Sequence, residues 1–241
     1  MAQPTESFVD SLIGELSRHP VNSNPFFQTF LDQRLTQFQL QQWLIQYHYF
    51  CKHFVKVLEG LLYRTPVEEL EMRVQLAKTL DSELGSGRSE HAHIRLLERF
   101  AGALGLSGTE LRRTTPLPAV EEYLGVLHRL FIEEDYLTAL GSELAVEVTA
   151  AAEFRYFHPG LLQYHRFSSD DLVFFELHLT AEDDHAHWLA DAVRKTTKSQ
   201  PDLERVAASA RTTADAWQRF WEGMERAVFQ DARLSGRPWN S

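Results

Sequence analysis

Apolar residues recur along this chain at the three- and four-residue spacing of amphipathic helices, and no segment alternates apolar and polar positions between hairpin turns. The pattern predicts an all-α protein. A first helix is expected from about Thr5 to Arg18, stopping before His19-Pro20, and the turn Asn22-Ser23-Asn24-Pro25 leads to a short amphipathic piece from Phe26 to Arg34. Thr36 is placed as the N-cap of a long helix, Leu40 to about Tyr63, that Pro66 terminates, and its stripe Trp43, Tyr47, Phe50, Phe54 and Leu58 is expected to face a core. The next helix runs from Val67 to Leu84, where Gly85-Ser86-Gly87 breaks it, and another resumes at Ser89 and continues to about Leu104. Gly105-Leu106-Ser107-Gly108 is a stop. Later helices are expected from Ala119 to near Glu133, from Asp135 to about Phe157 before His158-Pro159-Gly160, from Leu172 to Lys195 behind the capping cluster Ser168 to Asp171, and from about Asp202 to Phe229.

Composition narrows the class. With 241 residues and 44% hydrophobic content the chain can build one sizeable core, so a single domain over residues 1–241 is expected. A net charge of -10 argues against a grip on phosphate backbones, which needs clustered Lys and Arg, and nucleic acid is not expected as a partner. The single cysteine, Cys51, allows no intramolecular disulfide. No apolar run reaches the length of a membrane span, and the first residues lack a basic segment followed by an apolar one. A soluble, cytoplasmic protein is the expectation, with a homodimer left open.

The densest polar signal is His178-Leu179-Thr180-Ala181-Glu182-Asp183-Asp184-His185. On a helix, position 182 lies about 40° and position 185 about 20° from the direction of position 178, whereas Asp183 and Asp184 turn away. His178, Glu182 and His185 thus form one stripe, flanked by Phe174, Phe175, Leu177, Trp188 and Leu189. Two imidazoles and a carboxylate in apolar surroundings suit ferrous iron with open coordination positions. A solvated acidic face with surface histidines is the alternative for this triplet taken alone.

Two further groups change that balance. Glu83 precedes Gly85-Ser86-Gly87, and His91 and His93 follow; glycines between helical segments let an acid at one helix end and a histidine early in the next converge. An ordinary helix cap with a surface acid is the competing reading. Glu143 and Glu147 stand one turn apart among Leu140, Leu144, Ala145, Val146 and Val148, where carboxylates are costly unless compensated. These two and Glu153 lining a wet face is the alternative. Glu59, His48 and His53 on the aromatic helix are weaker candidates of the same kind.

Taken together, His19-Pro20, the helix opening from Leu35 to Trp43, Glu83-Leu84-Gly85-Ser86-Gly87, His93-Ile94-Arg95-Leu96-Leu97 and the His178 motif resemble the haem-oxygenase-like diiron oxidases and oxygenases, relatives of the thiaminase-like and pyrroloquinoline-quinone-synthase-like proteins. The resemblance covers most of the chain. It implies a single seven-helix-type bundle without haem, in which Glu83, His93, Glu147, His178, Glu182 and His185 hold two Fe(II) ions and dioxygen is a co-substrate. His91 stays open as a substitute for His93, Glu143 for Glu147, and Glu59 as an added ligand. The family commonly has aspartate where this chain has Glu182.

What the resemblance implies chemically is oxidation of a small amino-acid-like or fatty-acid-like substrate: desaturation, carbon–carbon cleavage, nitrogen oxidation or nitrile formation. The aromatic residues of the long helix are read first as core and second as pocket wall. Three rivals remain: a cofactorless oxidase on the same fold, a thiaminase-like enzyme, and a metal-free helical binding protein. The thiaminase-like reading is disfavoured because the nucleophilic cysteine of that branch lies in a later helix, whereas the one thiol here is Cys51.

Overall fold

The long apolar-periodic segments fold into helices that bury a shared core, with no strand among the described residues. In this computed structural model the backbone is described for residues 3–230, and side chains for 6–150, 152–179 and 188–230. The α-helices are α1 (Gln3–Ser17), α2 (Pro25–Asp32), α3 (Gln37–Arg64), α4 (Leu70–Glu83), α5 (His93–Ala103), α6 (Gly108–Arg112), α7 (Pro118–His128), α8 (Tyr136–Leu162), α9 (Ser169–Thr196) and α10 (Gln200–Glu225). Short π-helical turns extend α7 over Arg129–Glu133 and α10 over Arg226–Gln230. No described helix is long and apolar enough to cross a membrane.

Capping sets the starts of the helices that matter most for the interior. Thr36 accepts from the Gln39 amide while the Gln39 side chain accepts from the Thr36 amide, and Ser168 and Asp171 do the same at the start of α9. The α4 end is made by a left-handed turn, Gly85 at φ 91°, Ser86 at 50° and Gly87 at 82°, with the Ser86 amide donating to the Asp81 carbonyl at 2.7 Å. A Cβ at Gly85 would lie 2.3 Å from the Arg88 carbonyl oxygen, so glycine is required there by both conformation and space.

The centre of the bundle is α8, which packs against α9 and α10. Residues 138–147 are buried without interruption, as expected of a helix covered on every side. Gly141 permits the close approach of α10, because a Cβ there would sit 2.1 Å from the Val206 carbonyl oxygen. Around this axis Phe26, Phe27, Phe30, Trp43, Phe157 and Trp221 form a continuous aromatic core, with Phe27 and Trp221 rings 4.8 Å apart and Trp43 and Phe157 rings 4.9 Å apart.

Two expectations from the pattern need correction. The helix expected to end near Phe157 continues through Pro159 to Leu162. Proline removes the bond to the Arg155 carbonyl, but residue 155 is exposed, so water can replace the missing donor, and the last turn is held against Phe30 of α2 at Gly160. The segment read as one helix from Ser89 is a 3-10 turn over Ser89–His91 followed by α5, and α6 adds a short helix after the stop at Gly105.

Candidate metal centre

Two helix ends and the middle of a third helix deliver one cluster. Glu83 is the last residue of α4 and His93 the first of α5, and the glycine turn between them folds the two side chains together. His178 arrives from the middle of α9. Ligand atoms of Glu83, His93 and His178 all lie within 4.8 Å of one another. His93 is 6% exposed, and the rings of His93 and His178 meet edge to face at 4.8 Å.

The local geometry suits a metal better than it suits an ion pair. The His93 Nδ1 is 3.0 Å from Glu83 Oε1, yet it lies off the line required for a hydrogen bond and has no other partner. A buried ring nitrogen left in that state is costly in isolation, and a cation shared with the neighbouring carboxylate satisfies both. His178 Nδ1 is 2.7 Å from the Phe174 carbonyl oxygen, which can only accept. The hydrogen therefore sits on Nδ1, which makes Nε2 the lone-pair nitrogen of this tautomer, and a carbonyl on Nδ1 is the usual outer support of a metal-bound histidine. Phe154 stacks on the His178 ring at 4.5 Å and fixes its plane.

The cluster opens onto a cavity of about 100 Å³. Glu83, His93, Glu147 and His178 contribute to its wall, together with Tyr47, Phe50, Cys51, Phe54, Tyr123, Glu153, Phe154, Phe174 and Trp217. Among the described residues no Lys or Arg lines it. Burial pushes the Cys51 thiol well above its ordinary 9, with Glu153 and Glu83 adding to the rise. That thiol is a poor nucleophile, consistent with its place on α3 as a wall residue.

Of the six residues expected to hold iron, Glu83, His93 and His178 meet directly, and Glu147 shares their cavity. Glu182 and His185 lie outside the described side chains, although α9 runs through both positions without a break. His91 is exposed, with its Nδ1 2.8 Å from an Arg88 nitrogen, so it is His93 that reaches Glu83. Glu143 is wholly buried but does not line the cavity, and neither of its oxygens has a partner. Burial first, and the charge of Glu147 second, push its carboxyl well above the ordinary 4.5.

The weaker candidates go elsewhere. Glu59 is exposed, His53 turns its Nδ1 to the Tyr49 carbonyl oxygen at 2.8 Å, and buried His48 lies 3.6 Å from Glu98. Burial lowers the pKa of His48, with Glu98 opposing. The sequence reading missed the pair Tyr47 and Glu153. Tyr47 looks like core by its stripe, and Glu153 like part of a wet face, but the Tyr47 hydroxyl donates to Glu153 Oε1 in the interior and both line the cavity. The available signal was a third glutamate on the apolar helix α8.

Known proteins resemble this chain over nearly its whole length. It is 27% identical over 225 residues to a 4-aminobenzoate synthase of Nitrosomonas europaea, covering 90% of this chain and 89% of that protein. A 4-aminobenzoate synthase of Chlamydia muridarum is 26% identical over 215 residues, covering 89% and 88%. Among solved structures, a CADD-like protein of unknown function from Nostoc punctiforme superposes with a TM-score of 0.77 at 22% identity, over 94% of this chain and 99% of that one. A protein with a haem oxygenase-like fold from Shewanella denitrificans gives 0.71 at 16% identity, over 97% and 92%, so the fold expected from the motifs is the fold observed. Residues 41–218 match the family described as iron-containing redox enzyme, and the chain belongs to that family.

Proposed function

We propose that this protein is a non-haem diiron oxidase or oxygenase that uses dioxygen to oxidise a small substrate held in the cavity. The observation that carries the proposal is the convergence of Glu83, His93 and His178, with their ligand atoms within 4.8 Å of one another, on the wall of an aromatic-lined cavity. Glu147 supplies a further carboxylate from α8, and helix periodicity puts positions 182 and 185 on the same side of α9 as position 178. Three carboxylates against two ferrous ions leave one net positive charge, a balance that favours oxidation of the metal. Iron bound there would supply the electrons for dioxygen activation.

The chain's own residues do the placing. The Phe174 carbonyl and the Phe154 ring hold His178 in one tautomer and one plane. Phe50, Phe54, Phe174 and Trp217 exclude water and provide an apolar wall for the body of a substrate. Amino-acid-like and fatty-acid-like substrates both fit such a wall, and the name of the relatives adds small aromatic amino acids to the molecules to try.

Anaerobic titration with ferrous iron followed by admission of air tests the reading. Expected results are saturable iron binding, a transient visible absorption band on mixing with air, and loss of both after chelation. Oxygen uptake indifferent to chelation would support the cofactorless alternative instead. Absence of iron binding would leave a helical binding protein.

A further inference from the structure

Glu153 is a second unusual group on the same cavity wall. It is 2% exposed, its Oε1 accepts from the Tyr47 hydroxyl, and its Oε2 has no partner. Among the described residues no lysine or arginine lines the cavity with it and no cation offsets its charge. A buried carboxyl in this state holds its proton more tightly unless a cation takes the proton's place; burial pushes Glu153 up to about 8 against the opposing hydrogen bond from Tyr47. Glu143 is equally deep but is cut off from the cavity, so of the two only Glu153 can meet a ligand.

What surrounds Glu153 is aromatic. Tyr47, Phe50, Tyr123 and Trp217 line the cavity with it, the Tyr123 and Trp217 rings 4.6 Å apart and the Phe50 and Trp217 rings 5.1 Å apart. Electron-rich ring faces around one carboxyl group that no protein cation compensates make a receptor for a positively charged nitrogen, which on binding would replace the carboxyl proton as the counter-charge. The metal-binding carboxylates are compensated separately in the proposed centre, so they do not compete for the same charge.

We propose that Glu153, held by Tyr47 and flanked by Tyr123 and Trp217, is the binding point for the ammonium group of an amine-bearing substrate. The substrate class is then a primary amine on a small apolar or aromatic body, with the amine at Glu153 and the body along Phe50 and Phe54. This deepens the oxidase reading by naming its substrate class, and it rests on that reading for the role of the cavity but not on iron for the binding itself.

Calorimetric titration of iron-free protein with benzylamine and with benzyl alcohol, its uncharged isostere, tests the assignment. Benzylamine is expected to bind at least about tenfold more tightly than benzyl alcohol. Glu153→Gln should erase that preference by weakening the amine alone, and Glu153→Asp, which keeps the charge but withdraws it by one methylene, should show an intermediate preference. Far-ultraviolet circular dichroism establishes that each variant is folded. Equal binding of the two probes, binding of neither, or a preference that survives Glu153→Gln overturns the assignment. Iron titration of the same preparations keeps the two ideas apart: iron bound with no amine preference overturns the amine site alone, and an amine preference without iron overturns the oxidase alone.

Discussion

Replacing Glu153 by glutamine isolates the cost of a buried carboxyl. The group ordinarily titrates at 4.5, and burial raises it to about 8 in the folded protein. Between these values the native state holds a proton that the unfolded chain has released. Stability is therefore undiminished by this group below pH 4.5 and is lost as the pH climbs towards 8, by up to about 1.4 kcal/mol per pH unit. At pH 7 the loss amounts to about 3 kcal/mol, an upper bound because any relaxation of the site around the ionised group reduces it. Glutamine is uncharged throughout, and its carbonyl oxygen can still accept from Tyr47. Urea unfolding of iron-free protein followed by circular dichroism should find E153Q within about 1 kcal/mol of wild type near pH 5 and about 2–3 kcal/mol more stable near pH 7.5. Glu143 shifts in the same direction in both proteins, so the difference between them reports Glu153. Parallel stability curves for the two proteins from pH 5 to 8 would refute the reasoning.

Other perturbations test other joints of the structure. His178→Ala should abolish iron binding with helicity unchanged, measured by metal analysis and circular dichroism, and unaltered iron content would remove His178 from the centre. Gly85→Ala should cost about 1–3 kcal/mol, because it forces a side chain into φ 91° and against the Arg88 carbonyl, and should also weaken iron binding by moving Glu83 relative to His93. Denaturant unfolding of that variant with wild-type stability would contradict this. Gly141→Ala should destabilise by about 1–3 kcal/mol without altering iron affinity per folded molecule, since its Cβ meets the Val206 carbonyl at the α8–α10 contact. Saturating ferrous iron under anaerobic conditions should raise the unfolding temperature of wild type, by about 3 kcal/mol of stabilisation at a hundredfold excess over Kd, and not that of His178→Ala.

Helix periodicity made most of the architecture legible. The long segments carry apolar stripes strong enough to locate α3, α9 and α10, and the capping residues Thr36 and Ser168 mark the starts of α3 and α9. The course through Pro159 was not legible, because whether a proline ends a helix depends on what the next turn packs against, here Phe30 at Gly160. In the cavity, the meeting of Glu83 with a histidine was readable from the glycines between them, but the choice of His93 over His91 depends on the 3-10 turn that precedes α5. Glu147 and Glu143 are equivalent in sequence and differ only in which side of α8 meets open space. Glu153 was hidden for a related reason: its partner Tyr47 comes from α3, more than a hundred residues away, and no local pattern pairs them.

The proposed chemistry requires iron among Glu83, His93 and His178. Diffraction data collected on both sides of the iron absorption edge, from crystals grown anaerobically with ferrous iron, examine that directly. An anomalous peak within bonding distance of the Glu83 carboxylate, His93 Nδ1 and His178 Nε2 is the predicted result. Iron bound only elsewhere, or those three side chains turned apart with no peak between them, would contradict it.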